Sequence, residues 1–146
     1  MDDADDVAAR TAETMYSTDA ASQMLGMEIV AVAPGSATLR MEVAPEMING
    51  LDVCHGGIIF SLADSAMAFA SNSRDDVSFA VSADMTWLRP ARRGDVLTAT
   101  AHEAATAGRN GVYDVEVHSE SGELLAVFRG RVRATGRRLL DPQPGS

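Results

Sequence analysis

The stretch Asn49-Gly50-Leu51-Asp52-Val53-Cys54-His55-Gly56-Gly57-Ile58-Ile59-Phe60-Ser61-Leu62-Ala63-Asp64 constrains this chain more than any other. A polar loop, a histidine and two glycines lead into an unusually apolar helix that carries one carboxylate, Asp64. Helical periodicity runs from Gly57 to about Ser71, and Asn72 is placed to end it in a left-handed turn. At about 100° per residue, Ile59, Leu62, Ala63, Ala66, Phe69 and Ala70 share one broad face. Phe60 and Met67 widen the apolar arc on the far side, which leaves a stripe of Ser61, Asp64, Ser65 and Ala68. A helix apolar over most of its circumference is buried, normally against a sheet. Asp64 sits where the stripe meets Phe60 and Met67, so partial desolvation of its carboxylate is expected.

The glycines add a second constraint. The first turn of a helix has free backbone N–H groups at the positive end of its dipole. Without side chains, Gly56 and Gly57 let another molecule approach those donors. The helix start is thus a candidate anion or oxyanion site. It is not a nucleotide phosphate loop of the common kinds, because neither GxGxxG nor GxxxxGK occurs.

The rest of the chain narrows the class. At 146 residues and 46% apolar content it fits a single soluble domain, 1–146, with a core of useful size. No apolar run approaches the ~20 residues of a membrane span. The start, with Asp2, Asp3, Asp5 and Asp6, lacks the basic opening of a signal peptide, so a cytoplasmic location is expected. One cysteine excludes an internal disulfide and a cysteine-built zinc site. All 12 basic residues are Arg, which excludes Schiff-base chemistry on lysine. A net charge of −9 argues against nucleic acid as a partner. Arg129, Arg131, Arg133, Arg137 and Arg138 nevertheless cluster; they are either a solvated strand face or a site for an anion such as a nucleotide phosphate.

In chain order, residues 1–19 read as an acidic N-terminal helical segment. A shorter helix capped by Thr18 or Asp19 runs through Leu25 and stops at Gly26. Two strands follow, over 27–32 and 37–43, with Pro34-Gly35 between them. Beyond the central helix, 78–88, 96–105, 112–118 and 124–134 read as strands. Arg89–Asp95 reads as a turn, Ala107-Gly108-Arg109-Asn110-Gly111 supplies a hairpin signal through its Asn-Gly, and Ser121-Gly122 makes another turn. Residues 139–146 read as a flexible tail. The expected class is α+β, an antiparallel sheet of about five to six strands wrapped around one long central helix. One sheet face would still be short of cover, and a dimer that extends the sheet is expected.

This order, together with Asn49, His55-Gly56-Gly57 and Asp64, resembles the hot-dog-fold acyl-CoA thioesterases, and within them the phenylacetic-acid-degradation group. Similar stretches are Phe69-Ala70-Ser71-Asn72-Ser73, Leu88-Arg89-Pro90-Ala91 with Gly94-Asp95, and Gly111–Val117 leading to Phe128-Arg129-Gly130. The resemblance spans roughly residues 20–135. It implies a hydrolase that splits phenylacetyl-CoA or hydroxylated aryl-acetyl-CoA into free acid and CoA, without metal or cofactor. It also implies Asp64 as nucleophile or general base and the Gly56 N–H as the donor that polarises the thioester carbonyl. His55 and Asn49 resemble the polar pair near that carbonyl. In this family the acid and the helix start of one site come from two subunits, and dimers pair further, so a homodimer within a homotetramer is expected.

The chemistry suits these residue types. A thiolate leaves readily, so the reaction needs an oriented nucleophile and a stabilised oxyanion more than it needs acid help. Plainer roles stand beside the sharp ones. Asp64 could be an acid on an exposed stripe, His55 could cap its own helix, and Asn49 could simply build its turn. Gly57, Arg89, Pro90 and Arg109 are candidate substrate-binding positions. Arg89 and Arg109 lie in turns where the nucleotide end of CoA would pass, unless they are ordinary surface residues. Cys54 reads as a bystander, because adjacent residues do not normally aim at each other. His102 and His118 have no ligand-like spacing, and Trp87 and Met85 read as core. The competing functions are a non-catalytic acyl-CoA-binding module and a hot-dog hydratase or dehydratase. The latter usually carries a Pro-Gly where this chain has Gly56-Gly57.

Overall fold

The computed structural model describes residues 3–140. In order, the elements are α1 (Ala4–Ser17), α2 (Ala20–Met24), β1 (Glu28–Ala33), β2 (Ser36–Glu42), a single 3-10 turn (Pro45–Met47), α3 (Gly56–Ser71), β3 (Ser78–Trp87), β4 (Val96–Ala107), β5 (Asn110–His118) and β6 (Leu124–Ala134). The α+β class and the six-stranded antiparallel sheet match expectation. Residues 1–2 and 141–146, which include most of the expected flexible tail, lie outside the described residues.

Local chemistry fixes the ends of the helices. The Asp3 carboxylate accepts from the Asp6 N–H at 2.7 Å and caps α1; Asp19 accepts from the Ser22 N–H at 3.0 Å and caps α2. Gly26 takes φ +71° just beyond α2, a conformation that favours glycine. α3 ends differently from expectation. Asn72 keeps φ −97° and closes the helix with its side chain, whose amide donates to the carbonyls of Ala68 (2.9 Å) and Ser78 (3.2 Å). The left-handed turn falls instead on Asp75, at φ +61°.

α3 lies against one face of the sheet, chiefly over β2, β4 and β5. Its Leu62, Ala63, Ala66 and Ala70 are fully buried among Leu39, Leu97, Ala99 and Val117. Each large apolar side chain removed from water contributes about 1.5–3 kcal/mol, so this layer dominates the cohesion of the domain. Gly130 on β6 makes room for a side chain of the helix: a Cβ there would collide with the Met67 thioether. The other sheet face is polar. Arg129, Arg131 and Arg133 point to solvent, and Arg129 holds Asp114 with two bonds of 2.6 and 2.7 Å. These arginines therefore form the solvated strand face.

Strand order is β1-β2-β4-β5-β6-β3, which corrects one simple expectation. Arg89–Asp95 is not a hairpin turn. It carries the chain from the β3 edge across to β4 in the middle of the sheet, with Ala91 buried on the way and accepting from the Cys54 N–H at 2.7 Å. β3 thus pairs only with β6, leaving its outer edge open, and it exposes Phe79, Val81 and Trp87. The β4–β5 hairpin turns within the expected Ala107–Gly111 stretch: Ala107 pairs with Asn110, and Gly108, not Asn110-Gly111, takes the positive φ, +60°.

Candidate active site

The loop before α3 is held by its own side chains. Asn49 Oδ1 accepts from the N–H groups of Leu51 (2.9 Å) and Val53 (3.3 Å), and Asp52 turns through φ +63°. The amide oxygen therefore does the turn-building, while the amide nitrogen has no acceptor among the described residues. His55 caps α3: its Nδ1 accepts from the Gly57 N–H at 3.0 Å. An accepting Nδ1 puts the proton of the neutral ring on Nε2, so His55 offers a donor outward. Gly57 spends its own N–H on that cap. The Gly56 N–H has no acceptor among the described residues and stays available at the positive end of α3.

Trp87 completes this end. It is half exposed rather than core, a correction to the sequence expectation. Its indole Nε1 donates to the Gly56 carbonyl at 3.1 Å, which fixes the plane of that peptide. A Cβ at Gly56 would stand 3.2 Å from the same nitrogen, so only glycine lets the ring lie this close without displacement. Sequence alone gave no signal for Trp87, because the pairing of β3 with β6 is what brings it to the helix start. Asn49, Gly56, Trp87, Arg89 and Pro90 line one shallow cleft of about 300 Å³. Arg89 reaches Glu123 at 3.3 Å in an exposed pair.

Asp64 lies elsewhere, in a cleft of about 310 Å³ lined largely by apolar side chains from α1, α3, β3 and β6. Burial raises its carboxyl pKa above the ordinary value of 3.8, as the sequence position suggested. No donor or cation among the described residues meets this carboxylate. Arg109 lies in a polar hollow that shares Ser71, Ser78 and Val132 with the Asp64 cleft, and it donates to the Thr135 carbonyl at 3.0 Å. It is therefore on the Asp64 side, apart from Arg89 and Pro90. Cys54 is buried, with its thiol pushed up to about 11 by desolvation and by the nearby Asp95 charge, so it is no nucleophile at neutral pH. Among the described residues no three His, Cys, Asp or Glu side chains gather to hold a metal ion, and no helix is long and apolar enough to cross a membrane.

The structure thus splits the predicted residues into two groups. Gly56 and Asp64 are eight residues apart on one helix, about 12 Å along its axis at 1.5 Å per residue. Within one chain they cannot both touch one carbonyl. β3 joins the two groups: its Phe79-Ala80 end lines the Asp64 cleft and its Trp87 end lines the Gly56 cleft.

A carboxylate with a raised pKa and a helix-start donor are the parts of an acyl-transfer site, and comparison with known proteins agrees. The family model of the thioesterase superfamily matches residues 51–126, from just before His55 to the start of β6. The chain belongs to the thioesterase superfamily. It is 40% identical over 127 residues to the acyl-coenzyme A thioesterase PaaI of Escherichia coli, covering 87% of this chain and 91% of that protein. The solved structure of E. coli PaaI, from the phenylacetic acid degradation operon, superimposes with a TM-score of 0.91 at 38% identity over 93% of this chain and 99% of that one. A mutant of the phenylacetic acid degradation protein PaaI from Thermus thermophilus gives a TM-score of 0.75 at 38% identity, covering 78% and 97%. A Streptococcus mutans protein solved with acetyl CoA, 23% identical with a TM-score of 0.75 over 77% and 91%, shares the fold. The expected hot-dog fold and the expected enzyme class are both borne out: this is a thioesterase, a thioester hydrolase.

Proposed function

We propose that this thioesterase hydrolyses aryl-acetyl-CoA thioesters, phenylacetyl-CoA or its hydroxylated forms, at a site shared between two copies of the chain. Likeness to E. coli PaaI over most of both chains supports the substrate class. Asp64 attacks the acyl carbon or takes a proton from the water that does. The Gly56 N–H of the other copy stabilises the oxyanion, with His55 Nε2–H and the Asn49 amide nitrogen beside it. The C–S bond breaks, the acid keeps the new oxygen, and the CoA thiolate takes up the proton. Loss of an oxyanion donor typically costs about 10²–10³ in rate, so these few groups suffice without a cofactor.

One observation carries the shared site: the acid and the donor lie at opposite ends of β3, a strand with an open outer edge and exposed Phe79, Val81 and Trp87. Two β3 strands paired antiparallel about a twofold axis would set the Ser78 end of one against the Trp87 end of the other. Each Asp64 cleft would then adjoin a Gly56 cleft of the partner. Such dimers are expected to pair again into a homotetramer.

Release of free thiol from phenylacetyl-CoA, decanoyl-CoA and acetyl-CoA tests the reaction. Wild type should prefer the aryl-acetyl substrate, and Asp64→Ala should lose activity on all three by orders of magnitude. Val81→Arg on the β3 edge should give an inactive monomer with Asp64 intact. A fully active monomer would sink the shared site. CoA bound tightly with no thiol released would turn the assignment to an acyl-CoA-binding module.

A further inference from the structure

Part of the lining of the Asp64 cleft comes from chain that lies outside the sheet. Met15 of α1 and Leu139, five residues past the end of β6, line it together with Met67, Phe79 and Val132. Leu139 belongs to the segment expected to be loose, yet it is tied down. Asp75 Oδ1 accepts from the Leu139 N–H at 2.6 Å and from the Leu140 N–H at 3.0 Å; its Oδ2 accepts from Arg138 Nε at 3.0 Å. The residue is 5% exposed and takes φ +61°, a left-handed conformation that aspartate adopts more readily than most side chains. Its neighbours join the hold. The Val77 N–H donates to the Arg137 carbonyl at 2.8 Å, and the Gly136 N–H to the Asp76 carboxylate at 2.9 Å. A buried acid whose carboxylate spends its bonds on three consecutive residues has one evident effect, which is to hold Leu139 in the lining of the cleft.

We propose that this clamp sets the length of the acyl group: Asp75 is a positioning residue, Leu139 is the stop, and the subsite they close takes a compact ring on a short linker rather than an extended alkyl chain. Size agrees. An apolar cavity of about 150 Å³ accepts benzene, and this cleft has about 310 Å³. That leaves room for a ring, its methylene and the thioester carbonyl, and Leu139 in the lining is what would stop a longer chain. The inference rests on Asp64 being the reacting carboxylate, because only then is its cleft the acyl subsite.

The test is the ratio of kcat/KM for decanoyl-CoA to kcat/KM for phenylacetyl-CoA in wild type, Leu139→Ala, Asp75→Asn and Asp64→Ala. One methylene more or less in an apolar pocket changes discrimination by roughly 10–200-fold. Leu139→Ala should therefore raise the ratio at least about tenfold, mainly by lowering KM for the long chain. Asp75→Asn should move it in the same direction, a shift that a general loss of stability would not produce. A wild-type ratio in Leu139→Ala, with Asp64→Ala inactive, overturns the clamp and leaves the proposed mechanism standing. Asp64→Ala with wild-type turnover overturns the mechanism itself. Should Asp75→Asn fail to fold, the Leu139→Ala ratio alone decides.

Discussion

Asp64 and Asp75 lie eleven residues apart, and the fold treats them in opposite ways. Asp64 is left in a largely apolar cleft with no donor among the described residues, and burial raises its pKa. Asp75 is less exposed to solvent. Desolvation alone would raise it too, but the Leu140 and Leu139 amides and the Arg138 guanidinium outweigh that and hold it below the usual carboxylate range. A carboxylate that serves the fold is given donors until its charge is comfortable. On the proposed mechanism, a carboxylate that serves chemistry is denied them, so that it stays available to a substrate. Solvent exposure alone would have ranked these two residues the wrong way for function.

The largest expected effect separates the two by activity. Asp64→Asn keeps the shape of the cleft and removes the base, and should lower kcat/KM for phenylacetyl-CoA by about 10²–10⁴. Asp75→Asn should stay far closer to wild type on that substrate. The wild-type profile should sharpen the contrast: kcat/KM should fall in acid with a pKa above the ordinary 3.8, because Asp64 is raised and must be ionised to act. An acid limb at or below the ordinary value, or equal losses in the two variants, would erase the distinction.

How much of this was legible in the sequence depends on the range of the interaction. The spacing of Asn49, His55, Gly56 and Asp64 was legible because one loop and one helix carry it, and helix periodicity is local. α3 starts within a residue of where its pattern suggests, and the strands on either side fall close to their expected spans. The role of Trp87 was hidden, because it depends on β3 crossing to the far edge beside β6. Leu139 was hidden for a similar reason. A short stretch before prolines reads as tail, and only a partner more than sixty residues earlier, Asp75, shows that it is fixed. The polar roles of His55 and Asn49 sit between these cases. Both plain functions expected of them, capping a helix and building a turn, are present, and each still leaves one nitrogen facing outward.

The next effect in size is on stability, and it belongs to Asp75. Hydrogen bonds to a charged group contribute about 1.5–3 kcal/mol each when buried, and Asp75→Asn removes the charge and turns an amide donor toward these donors. A loss of about 2–3 kcal/mol in urea unfolding at neutral pH is expected. The pH dependence has a defined sign. The folded pKa lies below the unfolded one, so the carboxylate stabilises the fold above the ordinary value of 3.8, and this contribution disappears as pH falls through the lower folded value. The gap between wild type and Asp75→Asn should therefore close in acid. A gap constant with pH would assign the loss to packing rather than to the charge.

The smallest effect has the opposite sign, and it is the strictest test of the contrast. The raised pKa of Asp64 means that its ionised form is disfavoured in the folded protein relative to the unfolded chain. As pH rises from the ordinary value of 3.8, the unfolded chain gives up this proton first, and stability falls until the folded carboxyl has ionised as well. Above that point the whole penalty is present. Asp64→Asn removes it, so the inactive variant should be more stable than wild type at neutral pH, by about 0.5–1 kcal/mol, the scale on which relieving a functional strain usually registers. The advantage should shrink on acidification and vanish below the ordinary carboxylate pKa, measured as Tm across a pH series. Asp75→Asn changes with pH by the same law but from the losing side. If Asp64→Asn were instead less stable than wild type at neutral pH, the Asp64 carboxylate would have to be satisfied in the assembled protein. The partner copy would then be supplying it with a donor before any substrate arrives, and the helix start of that partner is the nearest source the proposed pairing offers.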